Sequence, residues 1–413
     1  MKIRILEKAL MNIAPGFNNA LSDFDQLILK QGSELSKRLQ KHRLDSFPPN
    51  AQKTLRPFQL AEVAGYLGIS SGHLKNLSLE GKGPQPTVTP TGRRSYTAEQ
   101  MQEMRHWLDK NGRSEVKKYV PHRRGDEHLQ IVAVVNFKGG SGKTTTTAHL
   151  CQHLALTGHR VLAIDLDPQA SLSALHGFRP EIDQDESLYE ALRYDDAKKP
   201  LSALIKTTNF PGLDIVPAAL DLQEFEYDTP LVLAEKGTRD IGRVFFTRLD
   251  AALAEVQDNY DVIVLDCPPQ LGYLTLTALS SATAALITVH PQMLDVMSMC
   301  QFLLMLGEIL NPIKRGGGNM NLDWFRYLVT RFEPGDGPQA QMVHFMRALF
   351  GDYVLKNEMV KSTAISDAGI TKQTLYEVER NQLTRSTYDR AMEALHAVNG
   401  EITDLIHQAW GRV

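Results

Sequence analysis

The 413 residues are enough for two or three domains, each with its own core, and a composition of 42% hydrophobic and 23% charged residues is ordinary for a globular chain. A formal net charge of -3 says nothing by itself about nucleic acid. The three cysteines, Cys151, Cys267 and Cys300, lack a C-x-x-C spacing, so they indicate neither a disulfide framework nor a zinc or iron–sulfur site. No run approaches the roughly 20 apolar residues that span a bilayer, and Glu7 interrupts the apolar core that a signal peptide needs, so a cytoplasmic location is expected.

In chain order, residues 1–50 read as helical, with Leu21, Phe24, Leu27, Ile28, Leu35 and Leu39 at three- and four-residue steps. Pro15 and Gly16 break the pattern near its start, and Pro48 and Pro49 close it. Such a stripe needs a cover, which is either its own domain or a dimer contact. From Phe58 the spacing predicts a helix, a tight Leu67-Gly68-Ile69 turn and a second helix opening at Ser70, with Ala61, Val63, Ala64, Leu67, Ile69 and Leu74 as a small core. That is a helix-turn-helix pattern. Its second helix would offer Ser71, His73, Lys75 and Asn76 to a DNA major groove, although such turns also join helices that never meet DNA. The Pro/Gly-rich segment 84–95, ending in Arg93 and Arg94, and the helix expected over 97–108 resemble the wing and following helix of MerR-like modules. The two arginines could then clamp phosphates beside the groove. Residues 51–124 hold 13 Lys and Arg against 6 Asp and Glu, the charge asymmetry of a nucleic-acid-binding module in a chain that is acidic as a whole.

After a polar, proline-containing linker at 116–126, strands expected near 129–136, 160–165, 213–216, 261–266, 284–290 and 326–332 alternate with helices. Strands apolar on both faces belong to an α/β fold with a mostly parallel, doubly wound sheet, and ligands bind at its carboxyl edge. The first strand runs into FKGGSGKTTTT at 137–147. Gly139, Gly140 and Gly142 permit positive φ and close approach to an anion, and the following helix N-terminus adds a partial positive charge. Lys143 would neutralise phosphate oxygens, and the Thr144 hydroxyl would ligate Mg²⁺. The loop departs from G-x-x-x-x-G-K-T: Phe137 stands where the first glycine is expected, and a second lysine, Lys138, follows it. Two further apolar strands end in carboxylates, VLAIDLDPQ at 161–169 with Asp165 and Asp167, and DVIVLDCPP at 261–269 with Asp266. Asp266 would hold Mg²⁺ through its water shell.

These three strand ends, in this order and with the extra lysine, resemble the ParA/MinD family of deviant Walker P-loop ATPases, and PQMLDVMS at 291–298, after a strand, resembles that family's loop beside the nucleotide and dimer face. The terminal run STAISDAGITKQTLYEVERNQLTRSTYDRA and AWGR further resemble the long ParA-type partition proteins of repABC replicons, the RepA type. The resemblance implies ATP or ADP at Gly139, Gly140, Ser141, Gly142, Lys143, Thr144 and Thr145, with Mg²⁺ at Thr144 and Asp266. It also implies that Asp167 orients the attacking water, that Asp165 supports the metal region and that Lys138 reaches across a homodimer to the partner's phosphates; read from the residue alone, Lys138 is equally a solvated loop lysine. It further implies nonspecific binding of double-stranded DNA, an N-terminal operator-binding autorepressor, a ParB-like centromere-binding partner (RepB), no membrane contact, and association with the nucleoid. The expected organisation is an N-terminal helical or dimerisation segment at 1–50, a winged helix-turn-helix at 51–118 and an ATPase domain at 119–413. A nucleotide-sensing repressor with no partition task is the alternative. A MinD-like membrane ATPase is disfavoured because 401–413 is too poor in Lys and Arg, and an iron-protein reductase because bridging cysteines are lacking.

Overall fold

The computed structural model describes residues 23–46, 53–112, 118–178, 186–236, 245–315 and 321–412. The chain divides into two units, Met1–Lys53 and Thr54–Val413. In the first, helix α1 (Asp23–Ser46) carries Leu27, Ile28 and Leu35 exposed. Pro15, Gly16, Leu21, Pro48 and Pro49, and the side chains of Phe24 and Leu39, lie outside the described residues.

The second unit opens with β1 (Phe58–Gln59), α2 (Leu60–Leu67), α3 (Ser71–Leu79), β2 (Thr87–Val88), β3 (Arg94–Tyr96) and α4 (Ala98–Asn111). Gly68 ends α2 in the left-handed conformation that a non-glycine residue resists, which turns the chain within three residues. The Ser70 side chain caps α3 by accepting from the His73 N–H at 3.1 Å. Thr97 and Gln100 form a capping box on α4. The three short strands pair antiparallel in the order β1-β3-β2. Phe58, Val63, Ala64, Leu67, Leu74, Tyr96, Met101 and Met104 fill the core between them. Two expectations change: Ala61 is exposed and Ile69 only half-buried. Residues 60, 63, 64 and 67 make the inward stripe of α2, and position 61 lies one step off it.

The large sheet is assembled from β4 (Gln130–Val135), β5 (Val161–Asp165), β6 (Lys206–Thr207), β7 (Leu213–Val216), β8 (Val262–Asp266), β9 (Ala284–Val289) and β10 (Trp324–Val329). Their order is β10-β9-β4-β8-β5-β7-β6. Six strands are parallel, as their two-faced apolar character demands, and β6 is an antiparallel edge strand too short and polar to register as a strand in the sequence. Two separate cores lie on the sheet's two faces. The covering helices are α5 (Lys143–Leu156), α6 (Ser171–Leu175), α7 (Tyr189–Leu192), α8 (Gln223–Lys236), α9 (Phe246–Ala254), α10 (Tyr273–Ser281), α11 (Met293–Arg315), α12 (Gly337–Phe350), α13 (Thr363–Ile370) and α14 (Arg385–Ala409). The last is one continuous helix.

Helix α11 corrects the statement about apolar runs. Met293–Asn311 is 19 residues with mean hydropathy 1.6, and among the described residues this one helix is long and apolar enough to cross a membrane by length and composition. It was missed because its first turn, in PQMLDVMS at 291–298, reads as a loop. Met299, Phe302 and Leu306 on its inner side are buried in the core of one sheet face, whereas Met293, Leu294, Met297, Leu304 and Met305 are exposed.

The N-terminal module is bonded to the large sheet's own helices. Arg105 of α4, 3% exposed, donates from Nη2 to the Tyr66 carbonyl (2.5 Å) and the Leu156 carbonyl (2.7 Å), and from Nη1 to the Tyr119 carbonyl (3.2 Å). Gln102 donates to the Ala155 carbonyl at 2.7 Å. The unsatisfied carbonyls that end α5 are therefore capped by α4, a favourable place for a cation. Tyr119 belongs to the segment read as a linker, which is pinned again where Arg412 donates to the Pro121 and His122 carbonyls.

Buried histidines line this junction. Desolvation pushes His149 down to about 4 and His153 down to about 3, and it lowers His159 beside His407. A depressed histidine contributes stability above its unfolded value of about 6.5 and loses it as pH falls, because the unfolded chain then binds more protons. Thermal unfolding of the full chain should therefore weaken from pH 6.5 toward 5, each such histidine contributing about 1.4 kcal/mol per pH unit. A His153→Gln variant should show a shallower slope; a flat profile in the unaltered chain would contradict this packing.

Candidate functional site

The loop after β4 begins at Asn136, whose amide donates to the Thr288 carbonyl while its Oδ1 accepts from the Lys138 N–H at 2.8 Å. Ser141 is fixed from two strands: its Oγ accepts from the Thr288 hydroxyl (3.0 Å) and its carbonyl from the Thr330 hydroxyl (2.7 Å). Gly140 and Gly142 take φ of 75° and 86°, whereas Gly139 does not have positive φ. Gly139 is exposed, and an added Cβ would meet nothing within 4 Å. Gly142 leads directly into α5, so the first N–H groups of that helix face the cavity.

Gly139, Gly140, Ser141, Gly142, Lys143, Thr144, Thr145 and Asp167 all line one cavity of about 460 Å³ at the carboxyl edge of the sheet. Thr330, Arg331, Lys361 and Ile365 close its other side. Sequence reasoning missed Asn136, Thr288 and Thr330. Their signal was present: each is a polar residue at the carboxyl end of an apolar parallel strand, where such folds place ligands.

Lys143 is 6% exposed, and burial lowers its pKa against the opposing influence of Asp266, Cys267 and Asp167. Asp266 is fully buried, and burial first, then the Asp165 carboxyl, push it well above the usual carboxylate range. The Thr144 hydroxyl and Lys143 act in the opposite direction. Thr147 donates to Asp266 Oδ1 at 3.4 Å, while Oδ2 has no hydrogen bond among the described residues. A buried carboxylate oxygen without a partner, beside a threonine hydroxyl, fits a hydrated divalent cation. No group of three His, Cys, Asp or Glu among the described residues could hold a metal ion.

Asp165, expected to support the metal region, is occupied otherwise. Its Oδ1 accepts from the Asp167 N–H (3.1 Å), and its Oδ2 accepts from the Ser173 N–H (2.9 Å) and hydroxyl (2.7 Å). It shapes the turn that presents Asp167, whose own Oδ1 accepts from the Gln169 N–H at 2.9 Å. Lys138 is half-buried, with its Nζ 2.8 Å from Asp295 Oδ1 at the start of α11. His290 lies 3.8 Å from the same carboxylate.

The second set of candidates lies elsewhere, on the N-terminal module. Ser71, His73, Lys75 and Asn76 are all exposed on one short helix, α3. Arg93 is exposed; Arg94 instead turns back, its Nε 3.4 Å from the Ser78 hydroxyl of α3. The structure thus brings the loop, Asp167 and Asp266 together and sets the groove-reading candidates apart from them.

The model of an AAA domain family matches residues 129–316. The replication protein A of Sinorhizobium fredii is 66% identical over 389 residues, covering 94% of this chain and 95% of the relative. The chromosome partitioning protein ParA of Caulobacter vibrioides is 30% identical over 246 residues, 58% of this chain and 84% of that one. The chain belongs to the ParA family of ATPases, in its RepA-type branch. A solved structure titled partition protein, 18% identical, aligns with a TM-score of 0.57 over 93% of this ParA-family chain and 99% of its own, and shows the shared fold.

Replacing the buried acid tests the site. Asp266→Asn should raise the unfolding stability of the protein without added nucleotide by about 1 kcal/mol, since it removes a buried carboxyl whose ionisation the fold opposes, yet abolish Mg²⁺-dependent nucleotide binding. Denaturant titration with and without Mg²⁺ and nucleotide measures both.

Proposed function

We propose that this ParA-family chain is a plasmid partition ATPase whose nucleotide-dependent dimer binds DNA without sequence preference, and whose N-terminal module represses its own operon. The observation that supports it most is the convergence of loop residues 139–145 and Asp167 on one cavity at the sheet's carboxyl edge, with the buried Asp266 carboxyl beside Lys143 and Thr144. ATP or ADP would lie along the 139–145 backbone. Lys143 would sit on the phosphates, and Thr144 and Asp266 would hold Mg²⁺, whose charge would neutralise the phosphate oxygens. Asp167, held by the Asp165 turn, would orient the attacking water. A structural neighbour, Cyanothece McdA, has been solved as an ATP complex; at 20% identity and a TM-score of 0.51 it speaks for the fold.

Lys138 would exchange Asp295 for the phosphates bound by a second copy, so that dimerisation follows the nucleotide. The α2-turn-α3 unit would act as a helix-turn-helix, with Ser71, His73, Lys75 and Asn76 facing base edges and Arg93 a phosphate. Arg94, tied to Ser78, would brace the β2–β3 wing. A ParB-like centromere-binding protein would stimulate hydrolysis, and the protein would work in the cytoplasm on the nucleoid.

Phosphoryl transfer depends on positioned charge, worth roughly 10³ to 10⁵ in rate when a partner supplies it. Basal ATP turnover should accordingly be slow and rise when the ParB-like partner and DNA are both present. Asp167→Ala should abolish turnover and plasmid inheritance while nucleotide binding persists. Fast turnover indifferent to both additions, or inheritance unaffected by Asp167→Ala, would overturn the reading.

A further inference from the structure

Strand β10 ends at Val329, and the chain beyond it is held on both sides. The Thr330 N–H donates to the Val289 carbonyl (2.8 Å), the Phe332 N–H to the Met359 carbonyl (3.1 Å), and the Lys361 N–H to the Phe332 carbonyl (2.9 Å). Between these fixed points Arg331 has φ of 53°, a left-handed conformation that glycine or asparagine adopts readily and arginine resists. The Thr330 hydroxyl, donating to the Ser141 carbonyl at 2.7 Å, pins this corner to the glycine loop.

From that position Arg331 Nη1 donates to the Gly140 carbonyl at 3.1 Å, an exposed contact. A guanidinium carries five donors in a planar fork. This is its one hydrogen bond among the described residues, and no ion pair there accompanies it. The neighbouring cations are neutralised by carboxylates: Lys138 by Asp295 at 2.8 Å and Lys361 by Glu333 at 2.9 Å. Arg331 lines the same cavity as the glycine loop but faces only a neutral carbonyl. One exposed hydrogen bond is a poor return for a strained backbone, and strain of this sort persists where it serves a ligand.

We propose that Arg331 is a nucleotide-binding residue whose fork takes anionic phosphate oxygens of the nucleoside di- or triphosphate held by residues 139–145. This rests on the nucleotide reading of the cavity. The left-handed backbone aims the side chain across the loop, so the guanidinium needs only to leave the Gly140 carbonyl to meet an anion lying in the cradle. Arginine suits this use because its two parallel N–H groups match a phosphate edge.

The test is a titration of the full chain with fluorescently labelled ADP and ATP, set beside its thermal midpoint. Arg331→Asn and Arg331→Gly suit the left-handed backbone, so both should keep or raise the midpoint while weakening nucleotide binding by about tenfold or more. Arg331→Lys keeps the charge without the fork and should recover part of the affinity. Asn and Gly variants that bind as tightly as the unaltered chain would overturn the assignment. So would a loss of affinity matched by a falling midpoint, which marks a structural residue. Absence of binding by the unaltered chain would overturn the nucleotide reading as well, so the two failures are distinguishable.

Discussion

The structure depends on charge buried at the carboxyl ends of two adjacent parallel strands. Asp165 and Asp266 end β5 and β8 in register, both fully buried, with Lys143 behind the loop that follows β4. Like charges this close oppose ionisation, and burial adds to the penalty. Asp165 is compensated by Ser173 and the Asp167 N–H, whereas Asp266 keeps one oxygen unmatched. The electrostatics therefore favour a ligand that brings a cation to Asp266 and anionic oxygens to Lys143. A metal–phosphate pair does both.

From this centre α5 runs as a short rod. Its N-terminus is the glycine turn that lines the cavity, and its last carbonyls are capped by Gln102 and Arg105 of the N-terminal module. One helix thus touches both the cavity and the module that carries the exposed residues of α3. At Arg105 the packing is close: a Cβ at Gly158 would stand 2.8 Å from the arginine side chain.

Much of this was legible in the sequence, because two-faced apolar strands, glycine turns and strand-end carboxylates are local signals. The six parallel strands and the helix, turn and helix around Gly68 follow from periodicity alone. What was not legible depends on residues distant in sequence. Arg105 reads as a surface arginine of an amphipathic helix until Leu156 and Tyr119 fold against it. Asp165 reads as a metal-region acid until Ser173 returns to occupy it. Lys138 and Asp295 are separated by more than a hundred residues, and Arg331 betrays itself only through its backbone angle. Helix α11 was obscured by a first turn that reads as a loop.

The most direct measurement compares the thermal midpoint of the full chain with Mg²⁺ alone, a nonhydrolysable ATP analogue alone, and both together. If the metal is shared between Asp266 and the phosphates, the combined shift exceeds the sum of the separate shifts, because each ligand completes the other's site. Additive shifts, or none, would contradict the claim that these buried charges exist to hold a metal–nucleotide pair.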